Sequence, residues 1–464
     1  MHDQPRKPGK YGRAFDWRIR HGSEEPLSNE AALGMSRLAS SDFPDILEDF
    51  LSISRKRQRN PTALARLQIH MLEELLIQEA TIKQYREHLA ELESPTASGN
   101  TEERQREIKF AKGQRFFHRA YANAIRAIGD GIAWRAFGYD RAAMRLLGER
   151  ETKQHLSSEG TIEELREWSH HFDTGSGIAI LNALTNCLAI ADVTVVRHDG
   201  SIEIVEVKSS KTKSSRKVRQ KQAMKEVVTL LGTGVGQNEG RDVAIEILRI
   251  TPETYLDRVE ELLQTAGEKG WAARRISDWL YVEAFDFRKF TAADEVKELT
   301  GDVRKVAIGE WERRGDHIHD MNSLDVIGYR PNSAPFSIFP FRARTCIDLL
   351  IGAKFYVSFL NVNAVEREFT RRGWTIEKDF KTRMKDLETL MKEKPKELGL
   401  ESMLDVRKGP FHCTVTPADF MRMLIETLRP KTLIDAVEAK YRQGPSTDMG
   451  YRLALYQDEY KLWN

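Results

Sequence analysis

Residues 189–208 read AIADVTVVRHDGSIEIVEVK, two β-rich runs on either side of a polar turn. Side chains alternate along a strand, so Ile202, Ile204, Glu206 and Lys208 share one face of the second run. A carboxylate and an ammonium on an otherwise apolar strand are costly unless something compensates them. Whether Asp192 joins them depends on the turn. A two-residue Asp199-Gly200 turn pairs His198 with Ser201 and sets Asp192 opposite Val207. A three-residue loop, with Gly200 left-handed, pairs Arg197 with Ser201 and sets Asp192 across from Glu206. A shared site requires the second register, and that odd loop is the expectation.

Two carboxylates held together repel each other, and a divalent cation relieves the repulsion. Oxygen ligands of this kind suit Mg²⁺, with Mn²⁺ as the alternative, and either ion bridges to substrate phosphates. Lys208 then lies where an ammonium orients water and stabilises charge developing on phosphorus. Immediately downstream, Lys211, Lys213, Arg216, Lys217 and Arg219 form a local basic patch of the sort a polyanion needs.

Asp192, followed on the next strand by Glu206-Val207-Lys208, resembles the PD-(D/E)XK nuclease superfamily, the restriction-endonuclease-like fold. The resemblance implies that Asp192 and Glu206 bind metal and that Lys208 is the catalytic lysine. Members often carry a glutamine on the following helix, which Gln220 or Gln222 fits, with Gln222 the choice here. Others carry an acidic residue on a helix before the hairpin, for which Asp130 in AIGDGIAWRAFG is the candidate third metal ligand. The chain departs from the pattern at Ala191, where the family's proline would stand. The resemblance covers roughly residues 110 to 270.

The surrounding sequence frames this core. The chain has 464 residues, 40% hydrophobic and 31% charged, with a net charge of only +2, so any nucleic-acid surface must be local. Cys187, Cys346 and Cys413 have neither disulfide nor zinc spacing, which fits a reducing compartment. No signal-peptide core opens the sequence. Its most apolar later window, CIDLLIGAKFYVSFL, is interrupted by Asp348 and Lys354. The expectation is a cytoplasmic protein with no membrane partner.

Composition divides the chain into three. Residues 1–100 read as a helical region behind a loose polar arm. Residues 101–270 read as the nuclease-like α/β domain, a mixed sheet flanked by helices. Residues 271–464 read as a second α/β region. Thr251 and Thr416, each followed by proline, read as helix N-caps. GDHIHD (315–320) and GTGVGQNEG (232–240) read as loops, and Trp134, Trp168 and Trp271 as packing residues. The functional expectation is a Mg²⁺-dependent endonuclease acting on DNA, of an antiphage-defence or repair kind. It would act alone, as a homo-oligomer or with a defence-system partner protein. An RNA nuclease and a non-catalytic nucleic-acid-binding scaffold are the alternatives.

Overall fold

The computed structural model describes residues 42–56, 60–94, 101–148, 158–175, 177–207, 215–238, 241–290, 304–326, 334–379, 382, 403–409, 411–442 and 451–458. The expected polar arm lies outside them. The architecture is mixed α/β, with helices around small sheets.

Helices α1 (Phe43–Lys56), α2 (Pro61–Leu92) and α3 (Thr101–Ala136) come first. Asn60 caps α2 by accepting from Ala63 N at 3.0 Å, and Pro61 stands where a missing N–H costs nothing. Leu64, Leu67, Met71 and Leu75, spaced three and four residues apart, are buried against α1 and α3. Of the glycines near the end of α3, only Gly138 breaks the helix, at φ +59° with Tyr139 following at +62°. Gly129 serves close approach instead, since a Cβ there would collide with the Leu184 carbonyl oxygen.

After α4 (Arg141–Gly148) and α5 (Ser158–Asp173), strands β1 (Gly177–Leu181), β2 (Val193–Arg197) and β3 (Ile202–Val205) form an antiparallel sheet in that order. The edge of β1 is covered by a side chain. Gln68 of α2 donates to Ala179 O at 2.9 Å, and its Oε1 accepts from Leu181 N at 2.9 Å, replacing a neighbouring strand.

Helix α6 (Ser215–Thr233) leads to β4 (Val235–Asn238) and β5 (Arg241–Ile250). β4 occupies part of the stretch expected to be a loop. β5 pairs antiparallel with β4 and parallel with β13 (Tyr451–Asp458), far along the chain. Helix α7 (Leu256–Lys269) begins four residues after the expected Thr251-Pro252 start. Residues 253–255 are taken by tertiary contacts instead: Glu253 N donates to Thr432 Oγ1 at 3.1 Å and Tyr255 N to Thr427 Oγ1 at 3.0 Å.

The next sheet, ordered β6-β7-β9-β8, comprises β6 (Trp271–Arg275), β7 (Leu280–Asp286), β8 (Ile318–Asn322) and β9 (Lys354–Asn361). Its edge strand β8 contains Ile318, His319 and Asp320, so the second half of GDHIHD is sheet rather than loop. Helices α8 (304–313), α9 (Ala343–Leu350) and α10 (Val362–Arg371) accompany it. A further sheet, an antiparallel meander, joins β10 (Thr375–Lys378), β11 (Leu404–Lys408) and β12 (Phe411–Val415). Helices α11 (Pro417–Ile425) and α12 (Pro430–Arg442) follow. α11 opens with the expected Thr416 cap, here a full capping box with Asp419.

One buried cluster runs from Leu47 to Val437 and takes in residues from all three compositional segments. Trp134 and Trp168 are buried in it, and Trp271 is half-buried on β6. Among the described residues no helix is long and apolar enough to cross a membrane.

Candidate carboxylate site at the hairpin

The β2–β3 turn is the three-residue loop. Val193 pairs with Val205 and Val196 with Ile202, Arg197 N donates to Ser201 O at 2.9 Å, and Gly200 sits at φ +81°. Asp199 steadies the turn by accepting from Ser201 N at 2.8 Å. Continuing this register by one residue sets Asp192 against Glu206. Regular pairing stops there. Asp192 N donates to Val205 O at 3.0 Å, while the Asp192 carboxylate accepts from Val207 N at 2.6 Å. The departure coincides with Ala191, which is left-handed at φ +65°. Asn182 braces it, donating from Nδ2 to Ile190 O at 2.8 Å and Ala191 O at 3.3 Å.

Helix α5 packs on β1 and β2, and this contact reveals a residue that the sequence reading did not single out. Trp168 is buried and donates Nε1 to Ala179 O at 3.0 Å, fixing the rotation of the helix. Glu164 lies one turn earlier on the same face. Burial, then the charges of Asp192 and Glu206, push the Glu164 carboxyl up to about 7. Both carboxylates raise this third carboxyl, and the strand register already sets the two of them on one face of the sheet. The signal was present in the sequence as Glu164 and Trp168 at helical spacing before the hairpin, where Trp168 was assigned to packing alone.

Asp130 has a different job. It is 1% exposed and accepts from Asn186 N at 2.6 Å, Cys187 N at 2.8 Å and Asn186 Nδ2 at 3.0 Å. Its oxygens thus hold the loop between β1 and β2. Asp130 is thus spent on this loop, whereas Glu164 is the helical acid whose carboxyl Asp192 and Glu206 raise. Cys187 is buried in the same loop, and burial, then Asp130, push its thiol well above the ordinary range, which makes it inert.

Gln222 is exposed and donates to Glu226 Oε1 at 3.1 Å within α6, so the structure gives it to the helix surface rather than to the carboxylates. The buried face of α6 is set by Val227 and Leu230, with Met224 half-buried. Lys208, Lys211 and Lys213 lie outside the described residues. Arg216, Lys217 and Arg219 fall in the first turns of α6, where only the backbone is described.

Asn182, which follows β1 and donates its N–H to Asp192 O at 3.0 Å, and Thr194, two residues along β2 from Asp192, are buried, and Asn182 Oδ1 and Thr194 Oγ1 find no hydrogen-bond partner among the described residues. Carboxylates and neutral oxygens of this kind fit a hard divalent ion. Among the described residues, no group of three or more His, Cys, Asp or Glu side chains stands close enough to hold a metal ion, so the candidate site is the Asp192 and Glu206 pair. Comparison with known proteins finds no matching family model, no matching curated protein and no matching solved structure.

Proposed function

We propose that the protein is a divalent-metal-dependent nuclease of the PD-(D/E)XK kind, hydrolysing phosphodiester bonds in DNA, in a defence or repair setting. One observation carries this reading: the odd-looped hairpin sets Asp192 against Glu206, and these two carboxylates, after burial, raise the Glu164 carboxyl on the preceding helix. The family resemblance asks for an acidic residue from a preceding helix, and Glu164 supplies it. A fold that clustered acids for stability alone would gain nothing, because their mutual repulsion opposes folding.

In this reading Asp192 and Glu206, with Glu164 beside them, would hold Mg²⁺ or Mn²⁺. The ion would supply charge neutralisation at the phosphate and acidify a water. The chain's own residues do the rest. The backbone N–H of Val207 fixes one Asp192 oxygen and so aims the other. Asn182 locks the left-handed turn that turns Asp192 out of the ladder. Lys208 would orient the attacking water and stabilise the charge that develops on the non-bridging oxygens. The basic residues from Lys211 to Arg219 would follow the substrate backbone.

The test is calorimetric titration of Mn²⁺ alongside incubation with plasmid, single-stranded DNA and RNA, in Mg²⁺, Mn²⁺ or EDTA. Wild type should bind the ion and cleave, and Asp192→Asn should lose both. A folded Asp192→Asn protein that retains both activities overturns the assignment. Ion-independent nucleic-acid binding without cleavage points to the non-catalytic scaffold, and cleavage restricted to RNA reassigns the substrate.

A further inference from the structure

Helix α3 carries a stripe unlike its other faces. Lys109, Lys112, Phe116, Arg119 and Asn123 recur at steps of three or four residues, so they line one side of the helix, and Arg106 flanks the start of this stripe. From Ile108 through Gly129 the sequence has no Asp or Glu. Arg106, Lys109, Arg119 and Asn123 are exposed, and Phe116 leaves 36% of its surface open among them. Lys112 is tied to Glu93 at 3.0 Å, whereas Arg106, Lys109 and Arg119 make no ion pair among the described residues. A merely solvated helix face interleaves both signs of charge, whereas from Ile108 onward this helix itself contributes only basic residues to the stripe.

The stripe also leads somewhere. Asp130 lies two turns beyond Asn123 on the same side of α3, and it grips Asn186 and Cys187 in the loop that runs into Ala191 and Asp192. The basic track and the anchor of the carboxylate loop are one continuous helix face. From Arg106 to Asp130 the helix rises roughly 36 Å, close to one turn of duplex DNA.

We infer that this face of α3 tracks the phosphodiester backbone of a nucleic-acid duplex, extending contact away from the carboxylates by about one helical turn. The inference rests on the proposed nuclease reading and adds a second contact surface, separate from the basic residues that follow β3. Its partner is defined by charge: a regular polyanion long enough to reach from Asp192 to Arg106.

The experiment compares wild type with the Arg106→Gln, Lys109→Gln, Arg119→Gln triple variant. Binding to labelled DNA and RNA duplexes of about 10 and about 30 base pairs is followed across a salt series, with Ca²⁺ replacing Mg²⁺. For the long duplex, the slope of log affinity against log salt should fall by about 2 to 3, with affinity near 0.1 M salt down about tenfold or more. The short duplex should bind both proteins alike. The charge-retaining variant Arg106→Lys, Lys109→Arg, Arg119→Lys should match wild type, and the DNA and RNA arms identify the duplex. An unchanged slope on the long duplex overturns the inference, as does loss of binding to anionic lipid vesicles with duplex binding intact. The nuclease reading fails separately, when Asp192→Asn retains wild-type cleavage. A wild-type protein that binds no nucleic acid removes both.

Discussion

Ala191 stands where the resembled family has proline, and its backbone explains the exchange. At φ +65° it occupies the left-handed region, which a pyrrolidine ring fixed near −65° cannot enter. Alanine itself is strained there by about 1–2 kcal/mol. Ala191→Pro should therefore lower unfolding free energy by about 3 kcal/mol, whereas Ala191→Gly should be neutral or mildly stabilising. Thermal melts of both variants check this. Glu164 allows a second residue-scale prediction. Its folded pKa is raised from 4.5 to about 7, so ionising it costs stability; the cost is absent below the ordinary value and complete above the raised one. In EDTA, Glu164→Gln should stabilise the protein at about pH 8 by on the order of 1 kcal/mol, allowing for solvent screening, and leave it unchanged near pH 4. Equal stabilisation at both pH values would mean that Glu164 does not feel the other two carboxylates.

At the scale of elements, the loop length decides the site, because a one-residue slip turns every side chain to the opposite face. Inserting one residue between Ser201 and Ile202, with the three-residue loop kept, should move Asp192 opposite Val205 and turn Glu206 to the other face. Mn²⁺ affinity should then fall at least tenfold in titration while the far-ultraviolet spectrum stays close to wild type; an unaltered affinity would show that the strand ends, not the turn, set the register. The hairpin was legible because strand periodicity and an Asp-Gly turn are local signals. The Thr416 cap was legible for the same reason. What could not be read was long-range: Gln68 serving as a strand surrogate for β1, Glu164 rotated inward by Trp168, and Asp130 turned toward Asn186. Each depends on which helix face meets which strand, and one sequence does not state that. The start of α7 was misplaced for the same reason, since Thr427 and Thr432 claim the backbone ahead of it.

Across the whole molecule, a buried ion triad ties distant segments together. Glu426 accepts from Arg141 Nη2 at 2.8 Å and from Arg422 Nε at 3.1 Å, and its other oxygen accepts from Ala334 N at 3.3 Å. Burial alone would raise the Glu426 pKa, but Arg141 and then Arg422 outweigh it and hold it below the usual glutamate range. The contribution is therefore complete above the ordinary glutamate pKa and is lost as pH falls through the lowered value. Glu426→Ala leaves two buried guanidinium groups without their carboxylate and should lower unfolding free energy by about 3–5 kcal/mol in denaturant titration at neutral pH. A change below about 1 kcal/mol would show that water reaches the triad and screens it.

The parallel pairing of β13 with β5 has a consequence in time. A ribosome delivers β5 about 200 residues before β13, which at roughly 5–20 residues per second is a wait of about 10–40 seconds. Through that interval one edge of β5 has no partner, while the hairpin carrying Asp192 and Glu206 has already been made. The middle sheet therefore closes late in synthesis. Until β13 arrives, the nascent chain exposes a strand edge that a chaperone must shield or that a second nascent copy could capture.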